Sequence, residues 1–254
     1  MKSRILFVFL AGCALLSAPG FAPVPATSAH PTPVLTHPAA SVRGVIKLLG
    51  IRNQKNGAHD DRSGVVVWLN AVDGTHPKPG RLRQRMTQKG KRFSPHVLAV
   101  EMGTEVDFPN EDPFFHNVFS IFDGRRFDLG LYASGETRPV SFSRPGVSYI
   151  FCNIHPQMSA VVVTVGTPFY TISDAGGAFA LSDVPVGRYH LQLWHERSTP
   201  EHLDSLARNI DVNANGLDLG VIGVSEEGYL PRSHRNKYGQ EYDSKRNKPA
   251  YRKP

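Results

Sequence analysis

The chain has 254 residues, 40% of them hydrophobic and 20% charged, with a formal net charge of +7 at pH 7. This balance excludes a wholly disordered chain and leaves enough apolar material for two modest cores. Beyond the first 16 residues no stretch approaches the apolar length of a membrane helix, so no stable membrane span is expected.

The N-terminus reads Met1-Lys2-Ser3-Arg4, followed by an apolar run from Ile5 to Leu16 and then by small residues at Ala22, Ala26 and Ala29. That order is the pattern of an export signal, expected over residues 1–29, and it puts the mature chain in the periplasm or otherwise outside the cytoplasm. Leu10-Ala11-Gly12-Cys13 also resembles a lipobox, so anchoring through a lipidated Cys13 stands beside ordinary cleavage further along. Residues 30–41 are rich in Pro, Ala, Thr and Ser and read as an extended tether.

From Val42 the text becomes short β-like runs separated by turn signals. The first group comprises Gly44 to Leu49, Gly64 to Leu69, Val97 to Val100, Thr104 to Phe108, Arg138 to Phe142, Tyr149 to Phe151 and Ala160 to Val165. Their spacing suits a β-sandwich over residues 42–165. A second group, Phe169 to Ile172, Gly177 to Leu181, Arg188 to Trp194, Asn209 to Val212 and Leu217 to Val221, suits a smaller sandwich over 166–224. Tight hairpin turns are expected at Asp174-Ala175-Gly176-Gly177 and Val184-Pro185-Val186-Gly187, and a short helix from Pro200 to Ala207. The runs at Gly44 and Gly64 suit either group. Residues 225–254 are polar and basic without periodicity and read as a flexible tail.

Two segments carry the excess of positive charge. Arg81 to Arg92 holds six basic residues and no acidic one, and Ser225 to Pro254 holds eight basic against four acidic. For an exported chain these fit acidic protein faces or an anionic surface rather than nucleic acid, and equally a solvated loop and a solvated tail.

The two cysteines are Cys13, inside the signal, and Cys152. Processing removes any intramolecular disulfide, and a lone thiol in an oxidising compartment is exposed to stray oxidation unless something occupies it. A metal is the simplest occupant. Phe151-Cys152-Asn153-Ile154-His155-Pro156-Gln157-Met158 places a thiolate, an imidazole and a thioether within seven residues after a strand. His116, in Phe114-Phe115-His116-Asn117-Val118-Phe119, lies 36 residues upstream and can complete the set. Two imidazoles and a thiolate with a weak axial thioether suit copper in both of its oxidation states. Zinc seldom uses a thioether. Phe114, Phe115, Phe119 and Phe151 are expected to form a dry shell around the metal. Asn117 is expected to bond across to the Cys152 loop and hold the two ligand segments in register.

Cys-x-x-His-x-x-Met with an upstream His-Asn resembles the cupredoxins, with a short ligand loop most similar to that of amicyanin, over roughly Phe93 to Val165. With Phe127-Asp128-Leu129-Gly130 between the ligands, the chain also looks like cupredoxin-domain proteins sometimes labelled methylamine-utilisation proteins. The resemblance implies a Greek-key β-sandwich with one type 1 copper held by His116, Cys152, His155 and Met158, exchanging electrons through the exposed edge of His155. Thr171 to Tyr189 is similar to the carboxypeptidase-regulatory-like, transthyretin-type β-sandwich, which implies a structural or recognition module without catalytic residues.

The expectation is therefore an all-β protein, a cupredoxin followed by a transthyretin-like sandwich, that carries single electrons between redox partner proteins and is not an enzyme. Two other readings of the same residues are a copper storage or delivery protein and a metal-free binding module on a cupredoxin shell. A Cys-His nucleophile pair lacks an evident oxyanion hole or third orienting residue. Of the other histidines, His195 in Trp194-His195-Glu196 is read as a strand-end residue packed on Trp194.

Overall fold

The computed structural model describes residues 39–50, 61–73, 82–121, 124–227 and 236–241. All of them fall in one unit of the chain that begins at Thr36. The expected signal and nearly all of the tether lie outside the described residues.

The chain opens with β1 (Ala39–Leu49) and β2 (Val66–Ala71), then the short β3 (Arg83–Arg85), β4 (Thr87–Gln88) and β5 (Phe93–Ser94). Next come β6 (Val97–Glu101), β7 (Thr104–Pro109), β8 (His116–Ser120), β9 (Phe127–Tyr132), β10 (Thr137–Phe142), β11 (Gly146–Phe151) and β12 (Ser159–Val165). The remainder is β13 (Tyr170–Ile172), β14 (Ala178–Pro185), β15 (Gly187–Trp194), the helix α1 (Pro200–Leu206), β16 (Arg208–Val212) and β17 (Leu217–Ser225). The helix starts where Thr199 caps it, its side chain accepting from the His202 N–H, with Pro200 in the first turn. No helix among the described residues is long and apolar enough to cross a membrane.

Two sandwiches result, and the second encloses the first in sequence. The strands from β3 to β12 form a three-stranded sheet, β10-β7-β3, a five-stranded sheet, β6-β12-β11-β8-β9, and the two-stranded pair β4-β5. The other two principal sheets are β14-β1-β17 and β13-β2-β15-β16. By pairing, β1 and β2 therefore belong with the later strands: β1 lies antiparallel to β14 and parallel to β17, and β2 lies between β13 and β15. The expected boundary at residue 42 gives way to a nested arrangement, with the 83–165 sandwich inserted between β2 and β13. Apolar alternation says that a strand buries one face; it does not say which partner covers that face.

The strand β12 joins the two halves. Its core reads Ala160-Val161-Val162-Val163 without polar alternation, the pattern of a strand buried on both faces. Val161, Val163 and Val165 pack into the core of the enclosing sandwich, with Val67, Leu69, Leu191 and Leu193, while Ala160 and Val162 pack with Phe108, Phe142 and Ile150 in the other. A polar tie supplements this seam: His96, just before β6, bonds Glu196 at 2.7 Å and the Ser159 carbonyl at 3.1 Å.

Three sequence expectations need correction. The basic segment Arg81 to Arg92 is not simply a solvated loop: its described residues, 82–92, supply β3 and β4 and bury Met86 and Gln88 completely. There Arg83 reaches Asp107 at 2.6 Å and Glu105 at 3.2 Å. The turns at Asp174 and Val184 carry the chain between sheets, because β13, β14 and β15 do not pair with one another in sequence order. The tail is also more than a flexible run, since residues 236–241 form a turn against the first sandwich.

Because β12 serves both cores, the halves should unfold together. Val162→Ala and Val163→Ala, which face opposite cores, should each lower stability by roughly 1–3 kcal/mol. Both should shift one denaturation transition in which tryptophan fluorescence, reporting Trp68 and Trp194 of the enclosing sandwich, coincides with mass-spectrometric labelling of the Cys152 thiol. Two separated transitions would show that the shared strand does not couple the halves.

Candidate metal centre

The strands β11 and β12 pair from Gly146 against Thr164 to Phe151 against Ser159, and the residues between them form the ligand loop. Two bonds close it: the Cys152 N–H donates to the Met158 carbonyl at 3.2 Å, and the Met158 N–H donates to the His155 carbonyl at 3.0 Å. His116 arrives on the adjacent strand, at the first position of β8, next to β11 in the same sheet. The loop and the start of β8 therefore meet at one end of the central strands of the five-stranded sheet.

Three ligand atoms converge there. Cys152 Sγ lies 3.7 Å from His116 Nδ1 and 3.7 Å from His155 Nδ1, and the two Nδ1 atoms are 3.1 Å apart. Among the described residues this is the only group of three His, Cys, Asp or Glu side chains whose ligand atoms converge. His116 and Cys152 are wholly buried, whereas His155 is only partly so. Met158 is wholly buried in the same core cluster as Cys152, at the closing end of the loop.

An aspartate that sequence reading did not single out orients the site. Asp112 Oδ2 lies 2.8 Å from His116 Nε2, and this carboxylate also accepts the N–H groups of Gly90 at 2.6 Å and Lys91 at 2.9 Å. An ionised carboxylate only accepts, so Nε2 carries the hydrogen and the neutral ring turns the lone pair of Nδ1 toward Cys152 and His155. The available signal was the spacing of Asp112 four residues before His116, too common a pair to stand out alone. Its other partners, the backbone amides of the basic segment, come from a distant part of the chain.

Burial leaves the imidazoles as neutral donors. Burial holds both imidazoles toward the neutral form: His155 falls from 6.5 to about 4, with the neighbouring His116 and Lys91 contributing, and His116 falls too although Asp112 opposes the shift. Burial pushes the Cys152 thiol up, while the backbone N–H groups of Asn117, Ile154 and His155 favour the thiolate. Two neutral imidazoles with facing Nδ1 atoms at 3.1 Å need a proton or a cation between them. Bonds of roughly 2.0–2.1 Å to nitrogen and roughly 2.3 Å to sulfur fit within a triangle of these sides. The donor set thus fits one soft to borderline metal ion.

The aromatic shell is narrower than expected. Phe114 packs against both imidazoles, 5.2 Å from His116 and 5.6 Å from His155 between ring centroids. Phe119 and Phe151 are buried and pair with each other at 5.9 Å, but Phe115 is 46% exposed. The side chain of Asn117 also departs from expectation: its Nδ2 donates to Asp128 Oδ1 at 2.7 Å and to the Gly130 carbonyl at 3.0 Å, both on β9, rather than to the Cys152 loop. Its backbone N–H makes the crossing, to the Cys152 sulfur. His195 is buried and bonds Glu226 Oε1 at 3.0 Å, so a carboxylate rather than Trp194 explains its place. His59, His76 and His234 lie outside the described residues.

No family model matches the chain, and no curated protein does. Among solved structures it is similar to a purple cupredoxin from Nitrosopumilus maritimus, with 23% identity over 32% of this chain and 99% of that one and a TM-score of 0.30. A copper-containing nitrite reductase from Thermus scotoductus SA-01 matches with 27% identity over 38% of this chain and 25% of that one, at a TM-score of 0.31. A reduced mutant of amicyanin matches with 18% identity over 35% of this chain and 87% of that one, at a TM-score of 0.32.

Two outcomes follow from the geometry. Asp112→Ala frees the His116 ring and should weaken metal affinity by about 10–100-fold, read by competition with a chelator. In the metal-free protein the depressed His155 binds a proton less readily than it does unfolded, so its favourable contribution is present above pH 6.5 and lost as the pH falls through about 4. The melting temperature should therefore drop more steeply across that window in the wild type than in His155→Gln. Parallel curves would remove the assignment.

Proposed function

We propose that this chain is an exported type 1 copper protein that carries single electrons, in which His116, Cys152, His155 and Met158 would hold one ion. The observation that carries the reading is the buried triangle of one sulfur and two nitrogens with no carboxylate among its donors. A thiolate suits Cu(I) and imidazole suits both oxidation states, so this mixture favours copper over zinc or a hard cation. When bound, copper supplies a one-electron couple.

The protein's own residues prepare the rest. Asp112 and the closed loop hold the donor atoms in place before any ion arrives, so a change of charge asks little of the surroundings. Phe114 and the core around Cys152 and Met158 keep water away. Complete burial of His116 and Cys152 denies a substrate access to the centre and favours transfer of electrons over making of bonds. His155, the one partly exposed ligand, offers the short route to a redox partner. The enclosing sandwich, with no converging ligand group of its own among the described residues, is read as a transthyretin-type structural module. The N-terminal signal pattern supports export.

Visible absorption and electron paramagnetic resonance of the Cu(II)-loaded protein test this. The expected result is an intense blue thiolate-to-copper band with a narrow copper hyperfine splitting, both lost in Cys152→Ser. A colourless protein, or a copper signal indifferent to Cys152, would sink the reading. Rapid reduction with slow loss of copper to a chelator favours electron transfer over delivery of the metal.

A further inference from the structure

The two ligand-bearing segments are joined a second time, outside the metal triangle, by a residue of the C-terminal tail. Residues 236–241 fold into a turn: the Asn236 side chain accepts the N–H groups of Tyr238 at 2.9 Å and Gln240 at 3.0 Å, the Asn236 N–H donates to the Gln240 carbonyl at 2.9 Å, and Gly239 closes it at φ +75°. The turn presents Lys237 in two directions. Its backbone N–H donates to Asn153 Oδ1 at 2.9 Å, and Asn153 sits between Cys152 and His155. Its Nζ reaches Asp128 Oδ2 at 2.6 Å, while the other oxygen of Asp128 holds Asn117, the neighbour of His116.

The connection across the site that the Asn117 side chain does not make directly thus runs Asn117, Asp128, Lys237, Asn153. Each end lies one residue from a sulfur or imidazole donor. The Lys237 side chain is only 22% exposed, unusual for a lysine, whose long chain loses much rotamer freedom when held. A partly exposed ion pair contributes little to global stability, so a local role accounts for this geometry better than general bracing.

We propose that Lys237 is a positioning residue of the metal centre, by which the C-terminal turn clamps the His116 segment to the Cys152–Met158 loop. The proposal rests on the reading of the site as a copper centre for its role but not for its geometry. Lys237→Ala removes the arm to Asp128, and Lys237→Arg restores a donor able to reach it.

The test uses the full chain in both forms. In the metal-free protein, hydrogen exchange at the Cys152 and Met158 amides should quicken in Lys237→Ala, with β12 unchanged and Lys237→Arg close to wild type. In the copper-loaded protein, loss of copper to a chelator should quicken about tenfold in Lys237→Ala and recover in Lys237→Arg. Unchanged exchange in the loop overturns the clamp, and so does faster exchange throughout the sheet, which would mark a general stabiliser. Faster exchange confined to the loop, in a chain that takes up no copper, upholds the clamp and sinks the copper reading instead.

Discussion

Burial of β12 on both faces is the constraint on which the rest of this structure depends. A strand with valines at Val161, Val162 and Val163 has no face to offer water, and both covers are needed before any one of them is satisfied. One cover is the small sheet β10-β7-β3, and the other is built from strands at opposite ends of the described chain. The ligand loop hangs from this strand and its partner β11, so the donor atoms rest on an element enclosed by both cores.

That placement explains how a thiol and two imidazoles tolerate each other in a dry pocket. Each loses hydration there, and burial is the first cause of the shift of all three. The surroundings return part of that loss in ways that favour a bound cation: three amides aimed at the sulfur, a carboxylate fixing the tautomer of His116, and a core that excludes competing water. The carboxylate is itself satisfied by the amides of Gly90 and Lys91, so the basic segment contributes backbone donors to the centre as well as exposed charge.

The enclosing sandwich has a mechanical part in this arrangement. It covers the outer face of the five-stranded sheet through Val161, Val163 and Val165, adds the His96 to Glu196 pair, and is followed in sequence by the tail whose turn reaches Asn153 and Asp128. Its strands thus bear on the same sheet that presents His116 and the loop, although none of the three converging donor atoms comes from them.

Much of this was legible in the residues. The spacing that brings Cys152 and His155 into one loop, the β-strand text, and the helix at Pro200 are local patterns, and local patterns are carried by nearest neighbours along the chain. The nesting of one sandwich in the other depends on strand pairings such as Val42 with Leu217, and the role of Asp112, the sideways turn of Asn117 and the return of Lys237 to Asn153 and Asp128 depend on contacts between residues 4 to 109 positions apart. Alternation tells a strand that it must be covered but leaves open by what, and a lysine in a polar tail carries no sign of the one aspartate it will meet. Sequence alone determined which atoms could bind a metal; only the tertiary structure decided how they are held, because orientation comes from partners that chain proximity does not bring together.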